Sequence, residues 1–195
     1  MNNAGAWIGI AIAVIIVIAI IAAISRRQRT EHLQKKFGPE YERHVRTIGS
    51  QSKAESELLA REERYRKLNI RPLSPEARTR YLNEWHALQS GFVDDPRVAI
   101  GQADQVIERV MRDRGYPIGD FNRQTEDLSV EHSDVLGDYR VAHAIAQRSA
   151  AGTISTEEMR KAVVAYRELF ERLVNPTSPT TTTTTSKEIK RERTS

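Results

Sequence analysis

The chain has 195 residues, a formal net charge of +4 at pH 7 and no cysteine. This length holds one modest domain once a membrane segment and a low-complexity tail are subtracted. Without cysteine the chain can form no disulfide framework, thiolate metal site or cysteine nucleophile. Residues 26–71 carry six more positive than negative charges, whereas residues 72–175 carry four more negative than positive charges. Because nucleic-acid binding draws on clustered cations, the acidic body predicts no nucleic-acid partner.

The first element along the chain is an uninterrupted apolar segment from Ala6 to Ile24, with the sequence AWIGIAIAVIIVIAIIAAI. Its length matches the roughly 20 residues that a helix needs to cross the hydrocarbon core of a bilayer. Trp7 at one end and Arg26 just beyond the other are typical of the two membrane interfaces. No Lys or Arg precedes the segment, so we expect an uncleaved transmembrane anchor over residues 1–25 rather than a signal peptide. The arginines after it predict a single-pass protein of the cell membrane, with the N-terminus outside and the soluble domain in the cytoplasm.

Residues 26–70 have the composition of a basic, helical linker beside the membrane. We expect the first helix to continue to Phe37, before Gly38 and Pro39 interrupt it, and a charged helix to start with capping-box spacing at Ser52. Five cations are candidates for contact with anionic lipid headgroups: Arg26, Arg27, Arg29, Lys35 and Lys36. The alternative is that these cations only determine topology, and both roles are compatible.

Residues 71–175 are predicted to form a small soluble helical bundle. Ser74 and Asp95 each precede a proline, and Ser155 has capping-box spacing, so each of these residues has the pattern of a helix N-cap. Apolar residues recur at spacings of three and four in four segments, and no segment alternates as a strand does. Because four amphipathic helices must bury their apolar stripes against one another, the sequence predicts an all-α fold.

The last segment, 176–195, is rich in threonine and ends in a charged sequence, SKEIKRERTS. It has too little apolar surface to offset the entropy of ordering, so we expect a disordered tail.

Several short blocks together resemble a known family. They are FGPEY, RPLSPE, FVDDP, RGYP, DLSVEH and YRVAHAIA, and they are spread between residues 29 and 174. In these blocks the chain resembles a family of uncharacterised bacterial single-pass membrane proteins with an N-terminal anchor and a helical soluble domain. The resemblance implies one coherent helical module behind an anchor. It implies no activity, because none is established for the family.

Two aromatic residues lie outside the predicted amphipathic helices, in the irregular segment RGYPIGDFNRQ. Tyr116 and Phe121 are therefore candidates for contact with a protein partner, flanked by Arg114 and Arg123. The alternative is that both rings tuck under their own loop.

The chain shows no catalytic, cofactor-binding or metal-binding signature, so we expect no such site. The five histidines lack the paired spacing of a helical zinc site, and no phosphate-binding glycine motif occurs. His132 and His143 could meet in space beside nearby acidic residues, which keeps a metal-dependent hydrolase as one alternative.

These observations favour a membrane-tethered, non-enzymatic interaction or scaffold protein. Its expected partners are the lipid bilayer and a protein, and the sequence leaves its oligomeric state open. An envelope-facing accessory protein of a stress response is the other alternative, and it requires the opposite topology.

Overall fold

The structure, a computed structural model, describes residues 4–150, 152 and 154–175, and the side chains of residues 4–11 and 150 lie outside this description. Within it the chain forms eight α-helices and no strand, which confirms the all-α prediction. The helices are α1 (Ala4–Phe37), α2 (Pro39–Ile48), α3 (Gln51–Lys67), α4 (Pro75–Gly91), α5 (Pro96–Arg114), α6 (Phe121–Leu128), α7 (Leu136–Ala150) and α8 (Thr156–Val174). The tail that we expect to be disordered, 176–195, lies outside the described residues.

Local signals explain where several of these helices begin and end. The side chain of Ser74 accepts a hydrogen bond from a backbone N–H in the first turn of α4, and Asp95 accepts two at the start of α5. Ser155 and Glu158 form the predicted capping box of α8. Gly115 ends α5 in a left-handed conformation, with φ at 97°. These boundaries follow from a few neighbouring residues alone.

The start of α3 differs from the prediction. The helix begins at Gln51 after Ser50, so Ser52 is not its N-cap. Glu55, the expected partner of Ser52 in a capping box, is instead buried, and its carboxylate accepts hydrogen bonds from Tyr41 at 2.9 Å and from Thr30 at 2.7 Å. The Glu55 carboxylate therefore binds residues of α1 and α2 instead of capping α3.

The predicted bundle is formed by α4, α5, α7 and α8. Helix α5 lies at its centre and packs against the other three. Trp85 of α4 stacks on Phe170 of α8, with ring centroids 4.5 Å apart. The buried side chains of this core include Tyr81, Trp85, Ile100, Ile107, Met111, Leu128, Leu136, Tyr139, Tyr166, Leu169, Phe170 and Leu173.

A second, smaller core joins the end of α1 to α2, α3 and the loop after α6; we call these three helical segments the N-terminal cluster. Its buried side chains are Leu33, Phe37, Tyr41, Leu58 and Val130. Tyr65 of α3 packs against both cores. The residues predicted as a linker thus have a packed core of their own that borders the bundle, while the domain limits drawn from the sequence stay predictions.

Helix α1 is a single helix of 34 residues whose two ends have different surroundings. Between Ile12 and Ile24 its large apolar side chains are 51–65% exposed, whereas Leu33 and Phe37 are fully buried. In the described part of the chain, no helix combines the length and the apolarity that a membrane crossing requires.

Candidate functional site at the junction of the two cores

A network of buried charged side chains lies where the N-terminal cluster meets the bundle. At its centre is Glu40, in the first turn of α2 and only 3% exposed. Its Oε1 atom accepts hydrogen bonds from Arg43 at 2.6 Å and Arg140 at 2.9 Å, and its Oε2 atom accepts one from each at 2.8 Å. Arg140 lies on α7, 100 residues further along the chain, so this carboxylate links the two parts of the fold.

The surroundings of Glu40 keep it ionised. Burial by itself would raise the pKa of its carboxyl group, but hydrogen bonds and positive charge from Arg43 and Arg140 outweigh that effect and lower the pKa to about 2. A carboxylate that is ionised at neutral pH and bonded on both oxygens acts as a clamp between helices.

Arg61 extends the network across α3. Arg61 is 6% exposed, and its guanidinium lies 3.6 Å from Glu40, 3.3 Å from the Nδ1 atom of His44 and 3.4 Å from Glu126. Arg64 donates a further hydrogen bond to Glu126 at 2.6 Å. Burial lowers the pKa of Arg61, and the two carboxylates partly oppose that shift. The charged network therefore runs continuously from α2 through α3 to α6.

Next to this network, Asp127 and His132 are buried with few partners. Asp127 is 1% exposed and neither carboxylate oxygen accepts a hydrogen bond from a described residue, although Arg123 lies 3.7 Å away. Burial raises the pKa of Asp127. His132 is 7% exposed, and burial, with the charge of Arg114, lowers its pKa to about 4. This imidazole is therefore neutral at pH 7.

The two candidate partner-contact residues lie in different surroundings. Tyr116 is 3% exposed, its ring lies 6.2 Å from that of Tyr65, and the guanidinium of Arg114 lies over it. Its burial favours the second alternative, in which the ring packs inside its own domain. Phe121 is half-buried and stacks on His143, with ring centroids 3.8 Å apart.

The five headgroup candidates also divide into two groups. Arg26, Arg27 and Lys35 are exposed. Arg29 lies 3.8 Å from Glu55 and Lys36 lies 3.3 Å from Glu62, and both acids belong to α3. These two pairs join α1 to α3 within the N-terminal cluster.

His132 and His143, which could have met at a metal site, have separate surroundings. The Nδ1 atom of His143 lies 3.0 Å from Asp104, which also accepts a hydrogen bond from Tyr166 at 2.8 Å. The nearest carboxylate to His132 is that of Glu131, at 4.0 Å. Among the residues that the structure describes, no group of three or more histidines and acids is arranged to hold a metal ion.

Sequence reasoning missed the residues at the centre of the network. Glu40 follows Pro39 in the first turn of a helix, where an acidic residue is ordinary. Arg140 lies among charged residues near the start of α7, and no local pattern pairs it with a residue so far away. The one available signal was that both residues lie in blocks of the family resemblance, FGPEY and YRVAHAIA.

No family model, curated protein or solved structure matches this chain. The family resemblance therefore stays a prediction, and function has to be argued from contacts, burial and charge.

Proposed function

We propose that this chain is a single-pass membrane protein whose helical domain serves as a non-enzymatic scaffold at the cytoplasmic face of the bilayer. The observation that carries the proposal is the exposure of α1. Its apolar side chains from Ile12 to Ile24 point outward on all sides, and Ile15 to Ile18, four successive residues, are each at least 52% exposed. A helix that is apolar on every side is unstable in water and is typical of a membrane span. The apolar run begins earlier, at Ala6, before the first residue whose side chain is described.

The junction between the apolar segment and the domain supports a scaffold role. No turn separates them, because α1 continues from one into the other. Its far end is held by the buried Phe37 and by Glu62, which binds both His32 and Lys36. A continuous helix fixed at one end would hold the domain at a set orientation to the bilayer, as a scaffold requires.

The contacts at the centre of the network, where the two cores meet, suit a structural role. Its most buried carboxylate with hydrogen bonds, Glu40, is bonded on both oxygens to arginines of the chain itself. Those contacts stabilise the domain and leave this group no free position for a reacting molecule.

Extraction of membranes tests the anchor. We expect the full-length chain to stay with the membrane pellet in alkaline carbonate and to float with vesicles. The double variant Val14→Arg with Val17→Arg should be mostly released from the membrane, because a charge at the centre of a span costs about 3 kcal/mol. The matched control is Val93→Arg with Val98→Arg, since these valines are also exposed, at 85% and 52%, but lie far along the chain. Release of the unmodified chain by carbonate, or equal release of both variants, would contradict the anchor.

Labelling of intact cells tests the orientation. Single cysteines at Asn2 and Thr182, each in its own chain, can be compared against the cysteine-free parent with a membrane-impermeant thiol reagent. Labelling at Asn2 alone is the expected result. Labelling at Thr182 alone would place the domain outside and favour the envelope-facing alternative.

A further inference from the structure

We propose that the turn between α2 and α3 rests on the headgroup layer of the membrane, where Arg46 and Lys53 bind anionic lipid headgroups together with Arg26 and Arg27. This inference rests on the membrane anchor proposed above. It adds the part of the domain that faces the bilayer and the lipid chemistry that this surface recognises.

Contacts between α1 and α3 give the direction of α3. At its start, the side chain of Gln51 lies 3.5 Å from the hydroxyl of Thr30, and Arg29 donates a hydrogen bond to Ser56 at 3.1 Å. Further along, Glu62 lies 3.3 Å from Lys36. Both helices therefore run away from the apolar segment in the same general sense, and α3 begins at the end nearest that segment.

Helix α2 brings the chain back to that end. It follows α1 after Gly38, runs for 10 residues and is joined to α3 by Gly49 and Ser50. Gly49 ends it in the left-handed conformation that glycine favours, with φ at 70°. Because α3 starts beside Thr30, the turn that precedes it lies at the same level of α1.

Helix geometry places this level at the membrane surface. Thr30 follows Ile24 by six residues, which is about 9 Å along an upright helix. The interfacial layer on each side of the hydrocarbon core is roughly 5–8 Å thick, and the Debye length at physiological salt is about 8 Å. The turn thus lies close enough to the headgroups for electrostatic attraction between their charges and its cations. Lys35 and Lys36 lie about 17 Å beyond Ile24 on the same measure, so their candidacy for headgroup contact is not supported by this geometry.

The charge at this end is positive and accessible. Arg26, Arg46 and Lys53 are exposed, and in the described part of the chain none of them forms an ion pair. Arg27 is 83% exposed and bonded to Glu31 at 2.9 Å. Cations that face outward beside an apolar segment match anionic phospholipid headgroups, and the attachment to α1 selects lipid rather than a soluble anion as the source.

The test uses the full-length, cysteine-free chain with one cysteine at Ser52, which is exposed at the start of α3. A fluorophore on that cysteine is quenched by lipids that carry a nitroxide on the headgroup. The control position is Lys67, whose side chain is 72% exposed at the other end of α3, about 22 Å away. Proteoliposomes of phosphatidylcholine alone are compared with ones containing 30% phosphatidylglycerol.

We expect quenching at residue 52 to exceed quenching at residue 67 several-fold and to increase with phosphatidylglycerol. Arg46→Gln with Lys53→Gln should abolish the increase, because the two exposed charges are lost without disturbing a described contact. Arg66→Gln with Arg71→Gln, which removes the same amount of charge at and just after the far end of α3, should keep the increase.

Carbonate extraction of the same samples separates this inference from the proposed function. Protein that resists extraction but shows equal quenching at the two positions, or no response to phosphatidylglycerol, would overturn the headgroup contact and leave the anchor intact. Protein that carbonate removes would overturn the anchor and the contact with it.

Discussion

His132 is a buried histidine whose environment makes the stability of the domain depend on pH. Burial and the nearby Arg114 lower its pKa from the usual 6.5 to about 4, so the unfolded chain binds a proton more readily than the folded chain. The stability that this difference contributes is present above pH 6.5 and is lost as the pH falls towards 4. The free energy of unfolding should decrease by about 3 kcal/mol across that window from this residue.

Chemical denaturation at a series of pH values measures this effect. His132→Asn should reduce the dependence between pH 6.5 and 4, because one of two buried histidines with a lowered pKa is gone; the other, His44, remains. His86→Asn is the control, since His86 is an exposed histidine on α4, and we expect it to keep the slope of the unmodified protein. An unchanged slope in the His132 variant would show that this imidazole is not the group responsible.

Substitution by alanine should have opposite effects at two glycines, one inside α5 and one at its C-cap. Gly115 ends the helix with φ at 97°, and a Cβ atom there would collide with the backbone carbonyl of Asn69. Gly115→Ala should therefore reduce the free energy of unfolding by more than about 1 kcal/mol. Gly101 lies inside the helix with no atom near its Cβ position, so Gly101→Ala should increase the free energy by about 0.5–1 kcal/mol. Denaturant unfolding of the two variants measures both changes in the free energy of unfolding. A loss of stability in both variants would contradict the prediction for Gly101.

The same helices show how far local sequence predicts structure. Ser74, Asp95 and Ser155 start their helices as predicted, because each cap depends on residues within three positions. Glu55 was assigned to a cap by the same reasoning and instead binds Tyr41 from another helix. Local spacing cannot reveal such a competitor when it comes from a distant part of the chain.

Long-range contacts limited the prediction of the candidate site in the same way. Periodicity identified the four helices of the bundle, since an apolar stripe is visible in one segment. The pairing of Glu40 with Arg140 depends on how α2 and α7 pack together. The positions of charged residues along the sequence do not reveal it. The sequence left the position of Tyr116 open between surface and core for the same reason, since its contact with Tyr65 is also between distant residues.

At the scale of the whole molecule, charged and aromatic contacts connect the N-terminal cluster to the bundle. Arg140 binds Glu40, Arg61 lies near Glu126, and Tyr65 packs against both cores. Because two of these links use buried charges, removal of one partner leaves another charge in a poorly hydrated site, which is costly. The N-terminal cluster should therefore depend on Arg140 for part of its stability, although Arg140 belongs to the bundle.

Hydrogen exchange of the full-length protein, read by mass spectrometry of peptides, tests this coupling. Arg140→Gln should raise exchange in α2 and α3 about 30-fold, equivalent to about 2 kcal/mol, while the protection of α5 stays close to that of the unmodified protein. The matched control is Arg109→Gln, which removes a salt bridge to Glu84 within the bundle and should leave α2 and α3 unchanged. If Arg140→Gln raised exchange equally in α2, α3 and α5, the two cores would open as one unit, and Glu40 would stabilise the whole domain rather than join two separable parts.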